Sequence, residues 1–248
     1  MEEFSYHNIF DTKGIEYLVI ISFFIILIPF WLLLNREVDV TKRLKKVLQF
    51  LSPARLVIPQ GIFYSKHHSW VFLEKNGVAK MGIDDLLLKI TGIVNIRFLK
   101  NREEMIRKGD LVAEVFQQGK TLQLYAPISG KILYSNTELN DNQALLMKET
   151  FGKGWVYSIK PSNWLEDVSD CYLAEDATLW FNQEFDRYKD FLAAQSQRAG
   201  MIVLQEGGEL VEGSLSALPN ESWNAFQKEF LKSELPARMR QQTGSEIK

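Results

Sequence analysis

The chain is poor in the residues that build reactive centres. Its 248 residues include one cysteine, Cys171, and three histidines, His7, His67 and His68. A lone cysteine cannot close an internal disulfide, and by itself it cannot hold zinc or an iron–sulfur cluster. It reads as a small packed apolar residue. No Ser/His/Asp or Cys/His set, phosphate-cradling glycine loop or metal-ligand array is legible, so the chain is not expected to be an enzyme and no small-molecule substrate is predicted. The formal net charge of -2 leaves no electrostatic footprint for nucleic acid. Apolar residues are not scarce: they make up 46% of the chain, enough for a packed core.

Charge is absent from one long stretch, residues 17–35, "YLVIISFFIILIPFWLLLN". About 20 such residues cross a bilayer as a helix, with Tyr17 and Trp31 suited to its interfaces and Pro29 tolerated as a kink. The acidic start and the lack of small residues after the run argue against a cleaved signal peptide. Only Lys13 precedes the run, whereas Arg36, Lys42, Arg43, Lys45, Lys46 and Arg55 follow it. That asymmetry predicts a single-pass protein of the cytoplasmic (inner) membrane, with its N-terminus outside and its large C-terminal part in the cytoplasm. "TKRLKKVLQFL" (41–51) has helical apolar spacing and a basic opposite face. It reads either as a helix lying on an anionic leaflet or as a plain helical connector ended by Pro53.

From residue 59 to about 164 the pattern becomes short β-like runs with Gly and Pro turns. "SWVFLE" (69–74) and "VAKMGI" (78–83) flank the turn "KNG". "DDLLLKIT" (84–91) is a helix opened by an acidic pair. Strands follow over 92–99, in the second half of 105–117, on both sides of Pro127 and Gly130 in 121–136, and over 154–160. This pattern predicts a mainly β (α+β) domain, a compact barrel or sandwich.

Six pieces of this region, in order, resemble the H protein of the glycine cleavage system: "YSKHHSW" (64–70), "GIDDLLLKITGIVNIRFL" (82–99), "KGDLVAEV" (108–115), "LYAPISGKI" (124–132), "NTELNDN" (136–142) and "FGKGWVYSIK" (151–160). The resemblance covers roughly 100 residues. It implies a lipoyl/biotinyl-type barrel-sandwich hybrid with a carrier hairpin at one tip. In that family the protein itself does no chemistry, and a lipoyl-lysine arm shuttles groups and electrons between partner enzymes. Trp70 and Trp155 read as packing aromatics and His68 as a structural histidine. Gly82, Gly109, Gly130 and Gly154 read as turn residues.

The resemblance also sets a test. In the family the modified lysine stands six residues before the Tyr of Tyr-Ala-Pro. Counting back from Tyr125 reaches Gly119, and the nearest lysine, Lys120, is one position late. A one-residue slip reverses a side chain's face in a strand. Lys120 therefore stands as the candidate lipoyl attachment site, against an ordinary turn lysine in a chain that has lost the arm and carries no cofactor.

Beyond 164 the resemblance ends. "LWFNQEFDRYKDFLAAQSQ" (179–197) is an amphipathic helix, 201–215 reads as a hairpin, and "NESWNAFQKEFLKSEL" (220–235) is a helix capped by Asn220. The expected organisation is an extracytoplasmic N-terminus (1–16), a transmembrane helix (17–35), a basic juxtamembrane segment (36–58), the H-like domain (59–164), a C-terminal extension of helices and a hairpin (165–238) and a disordered tail (239–248). The leading expectation is a membrane-anchored, non-catalytic scaffold with protein partners in a membrane-associated complex. The alternatives are a lipoyl carrier with its arm on Lys120, and a membrane-fusion-type transport adaptor. The adaptor reading conflicts with the charge flanks and lacks a long coiled-coil hairpin.

Overall fold

Backbone positions are described by a computed structural model for residues 9–34, 50–199 and 210–232. The chain divides into two units, Met1–Leu48 and Gln49–Lys248. In the first, helix α1 runs Ile9–Leu34 with Pro29 inside it. Its described side chains, residues 17–31, are all exposed and uncharged. Among the described residues no helix is long and apolar enough to cross a membrane. Most of the 41–51 segment, the region around Gly207–Gly208 and the 239–248 tail lie outside the described residues.

In the second unit, alternation of inward apolar residues builds two sheets. Six strands are arranged β2 (Phe63–Ser65), β3 (Ser69–Leu73), β4 (Ala79–Ile83), β10 (Tyr157–Pro161), β9 (Gly130–Ser135) and β6 (Met105–Ile106). Three more are arranged β5 (Asn95–Phe98), β7 (Leu111–Gln117) and β8 (Lys120–Tyr125). All pairings are antiparallel. Two apolar faces meet in one core that includes Trp70, Met81, Val112, Leu122, Ile132 and Ile159. The buried Tyr157 staples the sheets: its hydroxyl donates to the Val112 carbonyl at 2.9 Å and receives the Lys100 N–H at 3.1 Å. This is the barrel-sandwich that the strand pattern and the resemblance predict.

Helix α2 (Asp85–Thr91) is held open at its start by Asp84, whose carboxylate accepts the Leu87 N–H at 2.8 Å. Gly109 does occupy a turn, with φ +87°. Gly82 and Gly130 do not: both lie inside strands, where neighbours leave no room for a side chain. At Gly82 a Cβ would sit 2.6 Å from the Trp70 ring, so the missing side chain admits the indole.

The C-terminal extension does not stand apart. Helices α3 (Glu138–Asp141), α4 (Ala144–Lys148) and α5 (Trp164–Asp167) are short; α6 runs Ala174–Ala199. Phe181, Phe185, Tyr188 and Leu192 of α6 are buried in the same core as the strands. Two expectations fail here. Leu210–Val211 (β11) pairs with Phe50–Leu51 (β1), so Phe50–Leu51 is strand rather than helix, while residues 201–209 of the expected hairpin lie outside the described residues. Helix α7 (Asn220–Phe226) is preceded by Pro219 at the cap position, and Asn220 is already helical; Pro219 has the extended backbone a cap needs and no N–H to leave unpaired. The helix then widens into a π-helical turn, Gln227–Leu231.

Candidate functional site at the hairpin tip

Strands β7 and β8 are joined by the two-residue loop Gln118–Gly119, with Gln117 paired to Lys120. Both loop residues have positive φ, 49° and 81°, the left-handed pair that a tight hairpin of matching twist requires. Gly119 is at the apex, where a Cβ would meet nothing within 4 Å. The apex therefore has space for a projecting side chain and offers none.

Lys120 lies one step into the strand, and its side chain does not project freely. Its ammonium donates to the carbonyl oxygens of Ser216 at 2.7 Å and Leu218 at 2.6 Å. It also sits 5.8 Å from the centre of the Trp223 ring. Ser214–Ala217 forms a 3-10 turn whose last carbonyls would otherwise go unpaired, so the cation caps that turn. The turn is fixed from three further sides. The Trp223 indole donates to Leu215 O at 2.8 Å, the Tyr188 and Ser214 hydroxyls are 2.8 Å apart, and the Gly213 N–H donates to Lys89 O at 2.7 Å.

The same segment covers the free edge of β8. The backbone N–H of Gln123 donates to the side-chain oxygen of Gln227 at 2.6 Å. Below the contact, Phe226 and Phe230 stack at 4.5 Å, with Tyr188 and Phe191 packed on them. A lipoyl arm needs a lysine amine that reaches solvent from the apex. Here the apex is glycine and the neighbouring amine is engaged with the chain's own carbonyls, so the described arrangement does not fit that group.

His68 is buried, as a structural histidine should be. Its Nδ1 is 2.7 Å from Asp84 Oδ2, and its Nε2 faces Glu184 of α6 at 3.6 Å, beyond hydrogen-bond range. Burial pulls its pKa down, but the charge and hydrogen bond of Asp84, with Glu184 adding to them, outweigh it and hold the ring up at about 9. The ring is therefore an imidazolium that joins the H-like strands to α6. Burial instead pushes the Cys171 thiol up to about 11, as expected of an inert packed residue. Trp70 is fully packed; Trp155 is half-buried beside the core, with the Lys80 ammonium 5.7 Å from its ring centre. Among the described residues no cluster of His, Cys, Asp and Glu is arranged to hold a metal ion.

Sequence reasoning located Lys120 but missed the residues that engage it, Ser216, Leu218 and Trp223, and missed Gln227 on the edge of the same strand. Only the aromatic spacing of 220–235 hinted that this helix packs on something.

Residues 62–183 match the family model "Glycine cleavage H-protein". The probable glycine cleavage system H protein of Pyrococcus horikoshii is 30% identical over 118 residues, 48% of this chain and 87% of that protein. The glycine cleavage system H protein of Anoxybacillus flavithermus is 32% identical over 127 residues, 51% of this chain and 98% of that one. The probable H protein of Aeropyrum pernix is 34% identical over 107 residues, 43% and 73% of the two chains. Two small sheets around a tight hairpin and this similarity over nearly the whole length of a relative lead to one conclusion: the chain belongs to the glycine cleavage H-protein family.

Proposed function

We propose that this protein is a non-catalytic, membrane-tethered family member that works by binding proteins, its hairpin closed by its own C-terminal extension instead of carrying an arm. The observation behind this reading is the Lys120 ammonium held between the Ser216 and Leu218 carbonyls, beside an apex glycine. The tether is inferred from the uncharged run at 17–35 and from the cations that follow it. A tether would raise the concentration of the domain near membrane-bound partners.

Family membership favours a second reading, a lipoyl carrier in which the extension must first release Lys120. Intact-mass measurement on protein purified from its native host separates the two. The first reading expects the unmodified mass, and a lipoyl increment mapped to Lys120 overturns it. Resistance of the protein to alkaline carbonate extraction, with the C-terminal part digested only from the cytoplasmic side, is the expected result for the tether. Release by carbonate would remove it.

A further inference from the structure

Two grooves adjoin on the face that carries the Lys66–His67 turn. One, of about 440 Å³, is lined by Lys66, His67, Arg107, Lys108, Asp167 and Asp170, with others. The second, of about 450 Å³, is lined by Lys66, His67, Trp180, Arg187, Lys228 and Lys232, with others. They share Lys66 and His67, so they meet at that turn and are taken together as one track.

Each acid along this track has a partner, although Glu166 and Asp167 are held by neutral groups and keep their charge. Asp170 pairs with Lys108. Asp167 is buried and accepts the Ser129 N–H at 2.6 Å. Glu166 accepts from the Asn163 amide. Glu184 is 3.1 Å from Arg187 and also faces His68, and Glu229 is 3.9 Å from Arg187. Lys66, Arg107, Lys228 and Lys232 are exposed, and none has an acidic partner among the described residues. Unpaired cations on concave walls focus the field for an anion. In the second groove Tyr172 and Trp180 stack at 4.9 Å and add an apolar wall.

We infer that this track docks an extended acidic segment of a protein partner. The cations are spread along two joined grooves and do not converge on one point, as a site for a single phosphate would require. They rim concavities, whereas contact with a flat bilayer needs protruding charge. The aromatic wall suits apolar side chains set between the acids.

The inference builds on the protein-binding function proposed above. Its test is fluorescence anisotropy on the full-length protein in detergent, with a short labelled peptide of alternating glutamate and leucine as probe. Binding that weakens as salt rises is expected. The double variant Lys66→Glu, Lys228→Glu is expected to bind about tenfold or more weakly, with Lys75→Glu, on an exposed turn outside the track, unchanged. Circular dichroism checks that each variant is folded. Equal binding of a glutamine–leucine peptide, or a double variant that binds as well as the parent, overturns the inference. So does stronger charge-dependent binding of inorganic pyrophosphate or phosphatidylserine vesicles. A lipoyl mass on Lys120 defeats the arm-less reading and leaves this result standing; failure of the peptide leaves the mass result standing.

Discussion

The Gln227 side chain takes the backbone N–H of Gln123 at 2.6 Å, from 104 residues further along the chain. Gln123 lies on β8, the outer strand of its sheet. A bare strand edge of this kind is a template for pairing with another chain. One side-chain amide here does the work of an added strand, and Lys120 fastens the same segment three residue pairs away.

Lys120→Met keeps the stem and removes the ammonium. Two charge-assisted bonds are lost from a half-exposed site, so the expected loss is about 1–2 kcal/mol after solvent screening. Chemical denaturation measures it. Hydrogen exchange should rise across 210–232 while the amides of β3 and β4 stay protected. Unchanged exchange in 210–232 would mean that the lysine does not hold the extension down.

Stability should depend on pH through His68. Its folded pKa, about 9, lies above the ordinary 6.5, so the ring binds its proton more tightly in the folded state. The contribution is complete below about pH 6.5 and disappears as pH rises through about 9. Melting temperature followed across that window should fall. His68→Gln should be less stable at low pH and should lack that slope.

Gly82→Ala places a methyl group 2.6 Å from the Trp70 ring, which is enclosed on every side. Overpacking of this kind costs about 1–3 kcal/mol. Denaturant titration should show the loss, together with altered tryptophan fluorescence.

Phe226→Ala removes a buried ring that stacks on Phe230 and meets Tyr188 and Phe191. The expected cost is about 3–5 kcal/mol. Because that ring belongs to the segment over β8, limited proteolysis should cut 210–232 before the strands. Simultaneous cutting of both would show that the segment and the strands unfold as one unit.

The strands were legible because their signals are local. Alternation fixes the buried face, and Gly77, Gly109 and the 118–119 pair mark turns where the chain reverses. The docking of the extension was not legible. Its acceptors are main-chain carbonyls at Ser216 and Leu218, which every residue type possesses, and they lie 96 and 98 residues from Lys120. The strand at Phe50–Leu51 was hidden for a related reason. Leu210 and Val211 have the right apolar character for a strand, but nothing in their composition says that their partner is Phe50–Leu51. At Gly82 the sequence offered a glycine, and the ready reading was a turn; the demand came from the Trp70 ring on the neighbouring strand.

The pairing of β1 with β11 has a mechanical side. Phe50 and Leu51 are the first strand of the domain, and they grip Val211 and Leu210. Two residues on, Gly213 begins the turn that Lys120 caps. Tension applied to the chain ahead of residue 50 is therefore delivered first to the root of the segment that closes the hairpin. Pulling at the N-terminal end would act directly on that closure.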